Sequence, residues 1–176
     1  ETPDPRTYVL HLRKNVRFHS GNPFTAEDVK FSIERILDPN TNATRAREFA
    51  VVQSVEVVDP HTVRIALKQP SAPFLDMLAA GETMIADAKW ARSGGDFKKA
   101  TSGTGPFKVG PFETGVRYTL VKNPDYWEAP LPYLDRIELS TVAKDDVRVQ
   151  ALTTGSVDLA EYIPWQEIKA LEKDPQ

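Results

Sequence analysis

The chain has 176 residues, 40% of them apolar and 27% charged, enough for one packed body or for a body with a small subdomain. Its net charge of −3 and pI near 5.7, with Lys and Arg scattered among carboxylates, exclude the basic stripe that a nucleic-acid partner requires. Without a cysteine it can form no disulfide, thiolate metal site or thiol nucleophile, and its apolar runs fall far short of the roughly 20 residues of a membrane helix. The sequence opens on Glu1 rather than Met, so an upstream portion is expected to have been removed.

Tyr8, Leu10 and Leu12 alternate with Val9, His11 and Arg13, a period of two that predicts a strand resumed at Val16 and Phe18. Beyond the turn Ser20-Gly21-Asn22-Pro23, Thr25 is placed to cap a helix and Asp28 to return the bond. Val29, Ile33, Ile36 and Leu37 give that helix one apolar face, and Asp38-Pro39-Asn40 ends it. Residues 40–48 lack periodicity and read as an exposed connection and a candidate boundary. A hairpin follows, with Val55–Val58 and Thr62–Leu67 around Asp59-Pro60-His61. Ser71 is then expected to cap a short helix that points Phe74, Leu75 and Leu78 inward and stops at Gly81. Residues 87–102 read as a loop with one helical turn.

A second hairpin is expected from Phe107–Val109 and Val116–Val121, then a strand over Ile137–Val142. Asp145–Leu152 should form a helix begun by carboxylates and ended near Gly155. Val157–Ala160 reads as a short strand. The last helix is expected to begin near Pro164, pack Ile168 and Leu171, and run into Asp174-Pro175. Strands and helices mix without strict alternation, which gives an α/β class with a mixed sheet, close to α+β.

No chemistry assembles around a nucleophile. Gly103-Thr104-Gly105-Pro106-Phe107 leads into strands, whereas a phosphate loop opens a helix. Its glycines suit a tight turn and a close backbone approach. His11, His19 and His61 lack a ligand pattern and read as structural or surface imidazoles. No Gly-x-Ser-x-Gly elbow occurs, and Glu27-Asp28 and Asp145-Asp146 suit helix N-termini. The expectation is therefore no catalytic residue, no metal and no cofactor. Asn123-Pro124-Asp125-Tyr126-Trp127 reads as a turn with two core-anchoring aromatics.

Taken together, Tyr8–Arg13, Val16–Gly21, Phe24–Arg35, Gly103–Phe107, Asn123–Trp127 and Thr154–Ala160 resemble the bacterial extracellular solute-binding proteins of family 5, the dipeptide, oligopeptide and nickel receptors of ABC importers. The resemblance implies a periplasmic binding protein type II-like fold of which this chain is part of the first lobe. Residues 1–39 would be core sheet and first helix, 40–102 an inserted small subdomain, and 103–176 the return to the core, with the second lobe outside the chain.

It also implies capture of a peptide or similar small solute by hinge closure, in the periplasm or outside the cell on a lipid anchor, and delivery to permease subunits. Carried over by position, Arg47 and Phe49 after the first helix, and Tyr162 and Trp165 after the Gly155–Ala160 signature, are the candidate solute contacts. The other readings weighed are a sensory or regulatory module on the same fold and a hydrolase, for which no nucleophile or acid–base pair stands out.

Overall fold

In the computed structural model, which describes residues 1–97 and 99–173, the chain divides into two units: 1–108 with 121–135, and 109–120 with 136–176. The first unit is built on a sheet of order β1-β3-β2, from β1 (Thr7–His11), β2 (Val52–Asp59) and β3 (Thr62–Leu67). Both pairings are antiparallel, with Tyr8 opposite Ile65 and Val55 opposite the same residue on the other side. Because β3 lies between two neighbours, its alternating Val63, Ile65 and Leu67 are fully buried. Arg64 points the other way and meets Glu56, its cross-strand partner, at 2.9 Å.

Helix α1 (Ala26–Leu37) lies on that apolar face and buries Val29, Ile33 and Ile36, the stripe that its three- and four-residue spacing predicts. The capping box forms: the Asp28 carboxylate accepts from the Thr25 amide at 2.8 Å and hydroxyl at 2.9 Å. Asp38 ends the helix in extended conformation. Val16 and Phe18 are buried as their alternation requires, but Arg17 and Pro23 make only an isolated bridge instead of a strand, with Gly21 at φ +90° making the turn.

Several expectations are corrected here. The expected boundary at 39/40 runs through one sheet and one core, since β1 pairs with β3 and α1 packs on β2. The supposedly featureless stretch 40–48 enters a 3-10 turn, Pro39–Thr41, and then α2 (Ala46–Phe49), whose last residue is 0% exposed. One large apolar ring there outweighs the polar residues around it.

Helix α3 (Phe74–Leu78) starts after Pro73 without a side-chain cap from Ser71. Phe74, Met77 and Leu78 form its inward face, and Leu75, one step off that face, is 53% exposed. Phe74 packs between Tyr8, at 4.9 Å between ring centroids, and Phe49, at 6.4 Å. Helix α4 (Ala88–Arg92) is the single turn expected in 87–102, capped by Asp87.

The second unit holds most of a sheet of order β4-β5-β6, from β4 (Phe107–Glu113), β5 (Arg117–Lys122) and β6 (Arg136–Ser140). Gly115 at φ +77° turns β4 into β5, and Phe112 stacks on Tyr118 at 5.5 Å. Helix α5 (Asp145–Thr153) ends before Gly155, which is at φ +67°.

Residues 157–160 form no strand, contrary to expectation; no neighbouring strand is supplied among the described residues, and alternation alone makes no ladder. Helix α6 (Trp165–Leu171) follows Pro164 as expected, but Ile168 is exposed instead of packed. The expected stop at Asp174-Pro175 lies outside the described residues.

Candidate functional site

In the first unit, the end of α2, the end of β3 and the segment leading into α3 enclose a groove of about 540 Å³. Arg47, Ala50, Lys68, Ser71, Pro73 and Met77 are among its lining residues. Lys68 ties two walls together: its amide donates to the Val51 carbonyl at 2.9 Å and its ammonium to the Ala50 carbonyl at 2.7 Å. Tyr8 fixes a third by donating to the Ser71 carbonyl at 3.4 Å.

Neighbouring Arg45 is committed, bonding Glu48 at 2.8 Å and Glu82 at 3.1 Å. Arg47 is exposed and pairs with none of the described residues. The groove thus presents one uncommitted guanidinium beside proline and methionine, a surface able to hold an anionic or carbonyl-rich group. Phe49 is buried in the core and does not line the groove.

In the second unit, Arg148 organises the approach to α6. Its Nη1 donates to the Val142 carbonyl at 2.8 Å, and its Nη2 to the Tyr162 carbonyl at 2.9 Å and to Asp145. Tyr162 takes φ +57°, and its side chain and that of Trp165 stand out at 86% and 76% exposure. Two large aromatics held out in this way are suited to stacking on a planar group or to covering an apolar one. Arg47 and Phe49 thus share one unit, and Tyr162 and Trp165 share the other. Arg148 and Lys68 had not been singled out in the sequence, because each acts through backbone carbonyls that carry no residue code.

A polar node secures the first unit. Asp87, 0% exposed, accepts from Ser20 Oγ at 2.5 Å, Ser102 Oγ at 2.9 Å, Asn22 Nδ2 at 3.1 Å and the Trp90 amide at 2.9 Å. Burial pushes its pKa up, but these bonds outweigh burial and hold the carboxyl below its ordinary 3.8.

The Gly103–Phe107 segment is pinned from two sides. His19 Nε2 donates to the Gly105 carbonyl at 3.0 Å, and Asn123 Nδ2 donates to the same carbonyl at 3.1 Å. Its role is architectural, as its glycines suggest. Asn123 also accepts from the Asp125 amide at 3.1 Å, making the turn before Tyr126 and Trp127, and Arg13 lies over the Trp127 ring at 4.3 Å. His11 instead meets Glu1 at 3.2 Å on the surface.

No helix among the described residues is long and apolar enough to cross a membrane. The fold is that of periplasmic binding proteins. The PBP AgaA of A. tumefaciens R10, solved with agropinic acid, superposes with a TM-score of 0.93 and 35% identity over 99% of this chain and 36% of its own. The ABC transporter-associated periplasmic binding protein DppA of Helicobacter pylori, solved with the peptide STSA, gives 0.86 and 32% over 99% of this chain and 38% of its own.

The model of the bacterial extracellular solute-binding proteins, family 5 Middle, matches residues 1–176, and the chain belongs to that family. Among curated relatives, the glutathione-binding protein GsiB of Escherichia coli (strain K12) is 33% identical over 172 residues, 97% of this chain and 34% of the relative. The chain therefore spans about a third of the length of the relatives it matches.

Proposed function

We propose that this chain is part of the substrate-binding component of a bacterial ABC importer, which captures a peptide or similar small solute in the periplasm and presents it to permease subunits. The observation that carries this reading is the chain-long similarity, above 30% identity, to proteins described as binding glutathione or solved with agropinic acid or a peptide. The proposed action is binding without chemistry: the solute leaves as it arrived.

Arg47 is the candidate cation of the groove in the first unit, and Tyr162 and Trp165 are, within the second unit, candidate aromatic contacts. For Phe49 the reading is a core role in place of solute contact, supported by its complete burial.

The test is a thermal-shift screen of the full-length protein against glutathione, Ser-Thr-Ser-Ala, agropinic acid and nickel with histidine. A solute at 100 times its dissociation constant adds about 2.7 kcal/mol to the folded state. The expected result is a shift with one chemical class, reduced in Arg47→Ala, with the solute recovered unchanged by mass spectrometry. A folded protein silent to all of them, or one that converts the solute, overturns the reading.

A further inference from the structure

We infer that Arg148 is a positioning residue of the solute site. It touches no solute; it fixes the backbone of Tyr162 so that Tyr162 and Trp165 are presented together. This rests on the reading above that those two rings face the solute.

Among the described residues, only Asn42 and Tyr162 combine a side chain with a left-handed backbone. Asparagine tolerates that region through its short polar side chain, whereas a bulky tyrosine does not adopt it without support. Residues 157–164 have no strand or helix of their own to supply that support. The Arg148 guanidinium does: one side chain holds the Val142 carbonyl before α5, Asp145 in its first turn, and the Tyr162 carbonyl two residues before the helix cap Pro164.

The direction of a carbonyl is set by the ψ angle of its own residue, so pinning the Tyr162 oxygen holds that residue in its conformation. The Arg148 side chain is itself mostly buried, at 18% exposure, and its fork reaches separate carbonyls that a single ammonium cannot span equally well. The result is a fixed turn whose backbone faces inward to Arg148 while its ring faces out.

Two measurements on the full-length protein test this. In the first, chymotryptic cleavage after Tyr162 is timed under native conditions. Cleavage requires the turn to open, so Arg148→Ala is expected to accelerate it about tenfold with the overall melting temperature little changed, and Arg148→Lys to restore part of the resistance. In the second, a mutant cycle combines Arg148→Ala with the pair Tyr162→Ala and Trp165→Ala, using glutathione, agropinic acid and Ser-Thr-Ser-Ala as probes.

If Arg148 acts through the two rings, adding Arg148→Ala to the Tyr162→Ala/Trp165→Ala pair changes the affinity by no more than about twofold. Unchanged cleavage in a folded Arg148→Ala protein, or independent and additive losses of affinity, overturns the proposal. If instead Tyr162→Ala and Trp165→Ala leave the affinity for a bound probe unchanged while cleavage still responds to Arg148, the solute-facing reading fails and the anchoring of the turn stands.

Discussion

Asp87 is a buried carboxylate with no cation beside it among the described residues, held by four donors from three stretches of chain. Replacing it with alanine leaves the buried Ser102 hydroxyl and the half-buried Trp90 amide without this acceptor, at about 1–3 kcal/mol each. Ser20 is exposed and Asn22 half-buried, and both side chains can turn to water. The desolvation penalty that the charge carried is removed in the same step, which offsets part of the loss. The net expectation is a loss of about 3 kcal/mol for Asp87→Ala, and about 2 kcal/mol for Asp87→Asn, whose amide turns a donor toward donors.

Equilibrium urea denaturation of the full-length protein measures the loss, and native-state hydrogen exchange at residues 86–92 localises it to the α4 segment. The pH dependence has a definite sign. A folded-state pKa below 3.8 gives stability that is fully present above the ordinary value and is lost as pH falls through the folded one. Asp87→Asn cannot titrate there, so its deficit should be constant from neutrality to about pH 4 and shrink below it. A deficit under about 0.5 kcal/mol would show that the unpaired charge is a net burden and that the four bonds do no more than compensate for burial.

Phe49→Ala should cost about 3–5 kcal/mol of stability, because it empties a site packed against Phe74 at the centre of the core. Its effect on solute affinity should vanish once folded protein alone is counted, by the binding stoichiometry in a calorimetric titration. Gly95→Ala places a Cβ inside the Trp90 indole and should force the ring off Phe97, which it meets edge-on at 5.0 Å. A loss of about 1–3 kcal/mol is expected, with a change in tryptophan emission as the local readout. Leu75→Ser, on the outward side of α3, should stay within about 0.5 kcal/mol of the parent. A large loss there would mean that the helix is rotated from the orientation described.

What was legible in the sequence was whatever repeats at a fixed period or punctuates the backbone. The β2–β3 hairpin follows from alternation on either side of Asp59-Pro60-His61, and α1 from Thr25, Asp28 and the Val29–Ile33–Ile36 stripe. The unreadable parts failed for separate physical reasons. Around α2 a single residue, Phe49, determines burial, and a four-residue helix is too short to show a period. In α3, Leu75 was expected inward, but Phe74 packs so that Met77 turns in and Leu75 out. At 157–160 alternation was present, but a strand also needs a neighbour, which is a property of the fold and not of the segment.

The candidate site divides in the same way. Arg47, Tyr162 and Trp165 could be named from their place beside family signatures, and all three prove exposed. The groups that hold the backbone in each unit, Lys68 on the Ala50 carbonyl in the first and Arg148 on the Tyr162 carbonyl in the second, leave no such mark. Their partners are main-chain oxygens, and every residue has one. A contact of that kind is written in the conformation of the chain, so the sequence can indicate which side chains face out long before it shows what keeps them there.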